Sequence, residues 1–423
     1  MQFRTFLWTG AILCASAALA AGEPPAPGGR PDDPSVWPNR TSFRNSDPWL
    51  VENHEKIRKM RPRVLVLNFA NDVDPAGIED RTRRLIAAIA ESTRYRGFED
   101  PKAPAFLEYE VARYVDLRDE NPPEDLRRET STLFPRKPRG APGVLCDYSK
   151  LYGPDFARRY GFRDPGAPDR FLDLHELIER GIVHELWFWA VHGKEWPGHE
   201  TIEFKQYYDE RARPIEGRHG PAGNGHDPTM PWSGRSFRIA FLNPHRGVGC
   251  AMENFGHTLE YMAHADTIGY FTKYFREFAE LDLDRRYGLP FASLYALGPD
   301  DRVSYPEKDL MRIVRRGREH VVRPYVAAGG NVHFPPGARR HYDLESPYAV
   351  LSTIESYRLR NGPDGKDAVR EFSKAKWERC AAVAPDCMGP WVVFWRQCMP
   401  GLDNRALDDE GRPMKNWWVF LFY

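Results

Sequence analysis

The chain has 423 residues, with 60 Lys and Arg against 60 Asp and Glu and hence no formal net charge. That balance argues against a nucleic-acid binder, which needs a basic surface to displace counterions. At 41% hydrophobic and 13% aromatic residues wholesale disorder is excluded too, and the length suits one large domain or two ordinary ones.

In chain order, the first predicted element is a leader. Arg4 supplies a lone positive charge, residues 6–15 are apolar, and Ala18-Leu19-Ala20 closes the run with small residues. This is the three-part pattern of a secretory signal peptide over residues 1–20, cut after Ala20. An uncleaved anchor needs about 18–20 continuous apolar residues, more than the run holds. The expected location is therefore secreted or periplasmic, with no membrane span once the leader is gone. Residues 21–48 carry Pro24, Pro25, Pro27, Pro31, Pro34 and Pro38 with few apolar residues, which predicts a Pro/Gly-rich tether. Residues 49–423 then form a single large domain of catalytic type, with 344–423 as a candidate subdomain.

Within the body, the β-branched run at 61–69 predicts a buried strand, and the apolar spacing of 78–92 predicts an amphipathic helix. A strand at 106–116 follows, then a helix at 173–180 with Asp173 as its cap. Strands at 183–190 and 237–243 and a helix at 250–270 continue the alternation. This order predicts an α/β fold, a predominantly parallel sheet with flanking helices. Further helices are expected near 348–359 and 366–381. The aromatic-rich runs 390–395 and 416–423 are expected to pack on the sheet as buried strands or packing segments. Functional residues of such sheets gather beyond the carboxyl ends of the strands. That rule selects segments 68–77, 190–210, 243–260 and 329–343.

Six cysteines become five once Cys14 leaves with the leader, so at least one thiol is unpaired. Cys380 and Cys387 are close in sequence and predict a local disulfide loop. Cys250 is expected to be buried or disulfide-bonded, the alternative being a thiolate at a helix N-terminus. There is no CxxC, which excludes a cysteine zinc cluster. No GxGxxG, GxxxxGK[ST] or GxSxG occurs either, so nucleotide binding and serine hydrolysis find no support.

The densest chemistry lies in 246–264. On a helix at 100° per residue, with Glu253 at zero, His257 falls at about 40°, Glu260 at about −20° and His264 at about 20°. Met252, Phe255, Leu259, Met262 and Ala263 occupy the opposite face. Residues at i, i+4 and i+7 lie one above another, as when one helix offers a pair of ligands to a metal. Two other sheet-edge loops add candidates. His192, His199 and Glu200 lie in the first, beside Trp196. The second holds His333 between Gly329-Gly330 and Pro335-Pro336, followed by His341, Tyr342 and Asp343. Asp72 and Asp74 lie in a further sheet-edge loop, 68–77.

The His257-x-x-Glu260 pair with a later His333 is similar to the HxxE plus distant His of zinc carboxypeptidases, which are also α/β enzymes. That resemblance covers four contiguous residues and implies His257, Glu260 and His333 as zinc ligands. Here HxxE falls within a predicted helix, and the family's Glu base and substrate-carboxylate Arg have no placed counterpart. The wider set, Arg246-Gly247-Val248-Gly249 through Gly256-His257-x-x-Glu260, then His333-Phe334-Pro335-Pro336 and Tyr342-Asp343, resembles a family of uncharacterised secreted bacterial proteins. It implies a coherent family and no activity.

Three functions are open at this point. The first is an exported metal-dependent hydrolase acting on a small-molecule, peptide or glycan substrate. In it a divalent metal, zinc by ligand type, sits on His257, Glu260 and His333, and Glu253 or Glu200 takes a proton from bound water. The second is a non-catalytic glycan-binding surface built on Trp187, Trp189, Trp196, Trp232, Trp391 and Trp395. The third is a metal-free glycosidase using Glu200 and Glu253.

Overall fold

The structure, a computed structural model, describes residues 33–122, 124, 130–138, 146–191, 200–225, 227 and 229–423. The leader, the first part of the tether and residues 192–199, with His192, Trp196 and His199, lie outside the described residues.

Six strands build the central sheet: β1 Arg63–Asn68, β2 Glu110–Asp116, β3 Glu185–Trp189, β4 Thr201–Tyr208, β5 Pro214–Pro221 and β6 Phe237–Leu242. Their order is β2-β1-β3-β6-β4-β5. β2, β1, β3 and β6 run parallel, whereas β4 pairs antiparallel with both β6 and β5. The sheet is therefore mixed, and the expectation of a predominantly parallel sheet needs correcting at this edge. The turn between β4 and β5 spans only 209–213, too short for the crossover that parallel strands require.

Every residue of β1, β3 and β6 is buried, as central strands covered on both faces must be. Alternate side chains go to opposite layers. Val64, Val66, Trp187, Trp189, Ala240 and Leu242 meet the helices α1 Pro75–Ser92, α2 Val248–His264, α3 Gly269–Phe278 and α4 Gly389–Gln397. Leu65, Leu67, Leu186, Phe188, Ile239 and Phe241 instead meet the short helices Pro154–Tyr160 and Leu174–Glu179. The latter starts at Asp173, whose carboxylate and Glu176 form a capping box. A third core surrounds the antiparallel sheet β7 Arg302–Glu307, β8 Leu310–Arg315 and β9 Arg318–Val322, and it includes Phe334. Among the described residues no helix is long and apolar enough to cross a membrane.

Several expectations fail for local reasons. Residues 33–48, expected in the tether, are packed: Trp37 is buried, and Asn45 Nδ2 donates to the carbonyls of His184 and Ser236, each at 2.8 Å. The helix expected over 250–270 breaks after His264, where Asp266 adopts a left-handed φ of 52°, and α3 begins anew. No long helices form at 348–359 or 366–381. Short strands, Val350–Ser352 and Arg370–Phe372, and single 3₁₀ turns occupy those stretches. The run 390–395 is helical instead, and Trp417–Phe422 is a buried 3₁₀ helix. A short run that is apolar all round carries no period that tells strand from helix. Lys205, itself buried, reaches the final turn and donates to the Phe420 and Leu421 carbonyls at 3.1 Å each.

Cys387 pairs with Cys250, 137 residues away, not with Cys380, and Cys146, Cys380 and Cys398 are buried free thiols. The bond ties the first turn of α2 to the segment before α4. Glycine is required here because the two backbones nearly touch: a Cβ on Gly249 would sit 1.8 Å from the Asp386 carbonyl oxygen. Two buried guanidiniums hold α2 further along. Arg238 Nη1 donates to Thr258 Oγ1 at 2.8 Å, and Arg396 Nη1 donates to the Phe255 carbonyl at 3.1 Å.

One buried imidazole sets a pH dependence. His184 accepts from Arg63 N at 2.8 Å and lies 3.0 Å from the Phe43 carbonyl. Burial, then the Arg63 charge, push its pKa down to about 3. The folded pKa is thus depressed below the unfolded value of about 6.5. As pH falls through 6.5 the unfolded chain takes the proton first, and stability drops until the folded pKa is reached. His184→Asn is expected to remove this component. The wild-type advantage over that variant should shrink by on the order of 1 kcal/mol per pH unit between pH 6 and 4, read by denaturant unfolding. Parallel pH curves for the two proteins would sink this assignment.

Candidate metal centre

α2 carries its chemistry on a covered face. Glu253, His257 and Glu260 are 5%, 7% and 7% exposed, so each must find a partner within the protein. That covering comes from the 330–334 loop, which the third core delivers against the helix. A Cβ on Gly256 would lie 2.8 Å from Val332 Cγ2, so glycine there lets the loop approach. Trp391 and Trp395 donate their indole N–H groups to the Asn331 and Gly330 carbonyls at 2.9 and 3.1 Å. The Asn331 side chain accepts from the His333 and Phe334 backbone N–H groups.

The loop so held brings His333 to His257. Their Nε2 atoms are 3.0 Å apart, and His333 Nε2 is 3.0 Å from Glu253 Oε1. His257 Nε2 lies 4.0 Å from that same oxygen and 3.9 Å from Glu200 Oε2. Glu253, His257 and His333 thus turn one ligand atom each toward a common point, all within 4.8 Å of one another. For metal–ligand bonds of 2.0–2.1 Å, tetrahedral edges measure about 3.3 Å, a spacing that the three atoms bracket.

Glu260 stands elsewhere. Its Oε2 is 2.6 Å from His257 Nδ1, on the far side of the ring. It also accepts from Tyr295 Oη at 2.9 Å and from Val332 N at 2.9 Å. With Nδ1–H committed to Glu260, the neutral ring presents its Nε2 lone pair to the cluster. Of the residues singled out in the sequence, His257, His333, Glu253 and Glu200 therefore converge, and Glu260 orients one of them from behind. His341 and Tyr342 line the mouth of the cleft. Tyr342 is 53% exposed with a left-handed φ of 60°, and its ring lies 4.2 Å from that of His333. Asp72 instead meets exposed His245, at 2.7 Å.

The two carboxylates on the Nε2 side of the imidazoles differ in proton affinity. Burial raises the pKa of Glu200, with the His257 charge opposing and the Glu253 charge adding. Burial acts the same way on Glu253, but hydrogen bonds from His333 and Tyr342 and the charge of His333 outweigh it, and its pKa falls below the ordinary value. Burial would lower His257, but Glu260, Glu200 and Glu253 hold it up at about 9.

Sequence reasoning missed Tyr295 and Asn224. Asn224 Nδ2 donates to Glu200 Oε2 at 3.0 Å, and its Oδ1 accepts from the Glu200 and Thr201 backbone N–H groups at 2.9 Å. Its place in Gly223-Asn224-Gly225 was a turn signal that could have found it. Tyr295 had no local signal. The cluster opens into a cleft of about 1210 Å³ running along α3 and the helix Leu283–Tyr287.

Among the described residues the tryptophans form no platform. Trp187, Trp189, Trp391 and Trp395 are buried core residues, and half-buried Trp232 is stacked on His219, ring centroids 4.2 Å apart. No protein-family model matches the chain, and no curated protein matches it.

Proposed function

We propose that the protein is an exported metal-dependent hydrolase. The observation that carries this reading is the convergence of Glu253 Oε1, His257 Nε2 and His333 Nε2 at the base of an open cleft. Two imidazoles and a carboxylate form a zinc-type donor set, with a further position left for water. A bound ion supplies a water of lowered pKa. Glu200, with its raised proton affinity, takes the water's proton, and Asn224 fixes its carboxylate. Glu253, kept ionised, serves as ligand, and Glu260 fixes the His257 tautomer. This assignment gives Glu253 the ligand role that the zinc-carboxypeptidase resemblance implies for Glu260. Export is supported by the Cys250–Cys387 disulfide, a bond at home in oxidising compartments.

The metal-free glycosidase is less well supported. His257 Nε2 lies 3.9 Å from Glu200 Oε2 and 4.0 Å from Glu253 Oε1, so an imidazole stands against both carboxylates that a glycosidase would use. Metal analysis of the purified protein tests the proposal. About one equivalent of zinc is expected in the wild type and none in His257→Ala, and Glu260→Gln should bind about 10–100-fold more weakly. A wild-type protein that takes up less than about half an equivalent, unchanged in His257→Ala, would falsify the reading.

A further inference from the structure

The cleft is larger than the 300–1,000 Å³ usual for small ligands, at about 1210 Å³, so it has room for several units of a chain. Beyond the metal cluster most of its lining residues are of polar or charged type, with Leu281 and Ala292 among the few aliphatic side chains. Its aromatic lining is Tyr261, Tyr295 and Tyr342, and no described tryptophan joins them.

What it offers is unpaired charge of both signs. Arg285 has no carboxylate partner among the described residues, and Arg276 donates only to the Ala263 carbonyl at 3.1 Å. Glu210, Asp266 and Asp284 line the same cleft and have no cationic partner among the described residues. Neighbouring charges do pair: Lys273 meets Asp409 at 2.5 Å and Glu277 meets Arg358 at 2.6 Å. The charges left over line the cleft and are largely open to solvent, so a ligand of mixed charge can pair with them and a neutral one cannot.

We infer that the substrate is an extended peptide bearing charges of both signs, with its acidic groups read by Arg276 and Arg285. The inference rests on the hydrolase reading for cleavage, while recognition depends on the cleft alone.

His257→Ala separates the two, because it keeps the cleft and removes a proposed ligand. Its binding to a fluorescein-labelled dodecapeptide of alternating Glu and Lys is compared, by anisotropy, with binding to labelled chitohexaose. The peptide should bind at least about tenfold more tightly and weaken as salt is added. Adding Arg285→Ala should cost the peptide about tenfold, and Arg316→Ala, at the exposed β8–β9 turn, should cost nothing. Equal or tighter chitohexaose binding, or peptide binding indifferent to Arg285→Ala, overturns the inference. Metal-loaded wild type should also cleave the peptide, read by mass spectrometry. A wild type that takes up no metal overturns the hydrolase reading, while the binding comparison still decides recognition.

Discussion

Glu200→Gln is expected to lower hydrolytic turnover by about 10²–10⁴-fold while leaving the metal content at about one equivalent. Glutamine keeps the volume of the side chain and an oxygen for Asn224 Nδ2, now 3.0 Å from Glu200 Oε2, but it cannot accept the proton of an activated water. Glu253→Gln is expected to behave differently. It weakens a ligand, so metal and activity fall together. The pair is read by metal analysis alongside turnover on a panel of chromogenic peptide and ester substrates. If Glu200→Gln lost its metal too, Glu200 would be a ligand and the base would have to be sought elsewhere.

The largest effect on stability is expected from Glu185→Ala, at about 3–5 kcal/mol. Glu185 and Arg238 are paired at 2.6 Å with side chains only 3% exposed. Tyr109 Oη donates to Glu185 Oε1 at 2.7 Å and Trp187 Nε1 to Oε2 at 2.9 Å. Removing the carboxylate leaves the buried guanidinium without its ion-pair partner, with only Thr258 Oγ1 and Tyr109 Oη to accept from it, and takes the acceptor from the Tyr109 and Trp187 donors. Because Arg238 also holds Thr258, next to His257, metal affinity should fall as well. The double variant Glu185→Met/Arg238→Met buries no charge and should recover much of the loss. Denaturant unfolding of the three proteins checks this. A double variant no more stable than Glu185→Ala would show that packing, and not an orphaned charge, sets the cost.

The sequence made the central elements legible where one pattern spoke alone. The unbroken apolar run of β1, the helical spacing of α1 and the Asp173 cap each had a single reading. β4 and β5 are not legible there: segment 190–210 reads as a sheet-edge loop, and the antiparallel entry of β4 rests on its pairing with β6, a contact that no local pattern encodes. In the site, the helical wheel gathered Glu253, His257 and Glu260 but could not rank the two carboxylates, which lie about 20° apart on it. Their roles depend on which imidazole nitrogen each one faces. That is fixed by the approach of His333, 76 residues beyond His257, which no local pattern encodes. Tyr295 and the Cys250–Cys387 bond were hidden for the same reason.

The two indole clasps on the 330–334 loop also bear on timing. Trp391 and Trp395 are made more than 50 residues after His333, yet their N–H groups hold the loop that carries it. A growing chain can complete β1, β3, β6 and α2 and still lack the means to seat the second imidazole. The centre therefore closes only once Trp391 and Trp395 have been synthesised. On the proposed peptide-hydrolase reading, the protein would stay inert until that point.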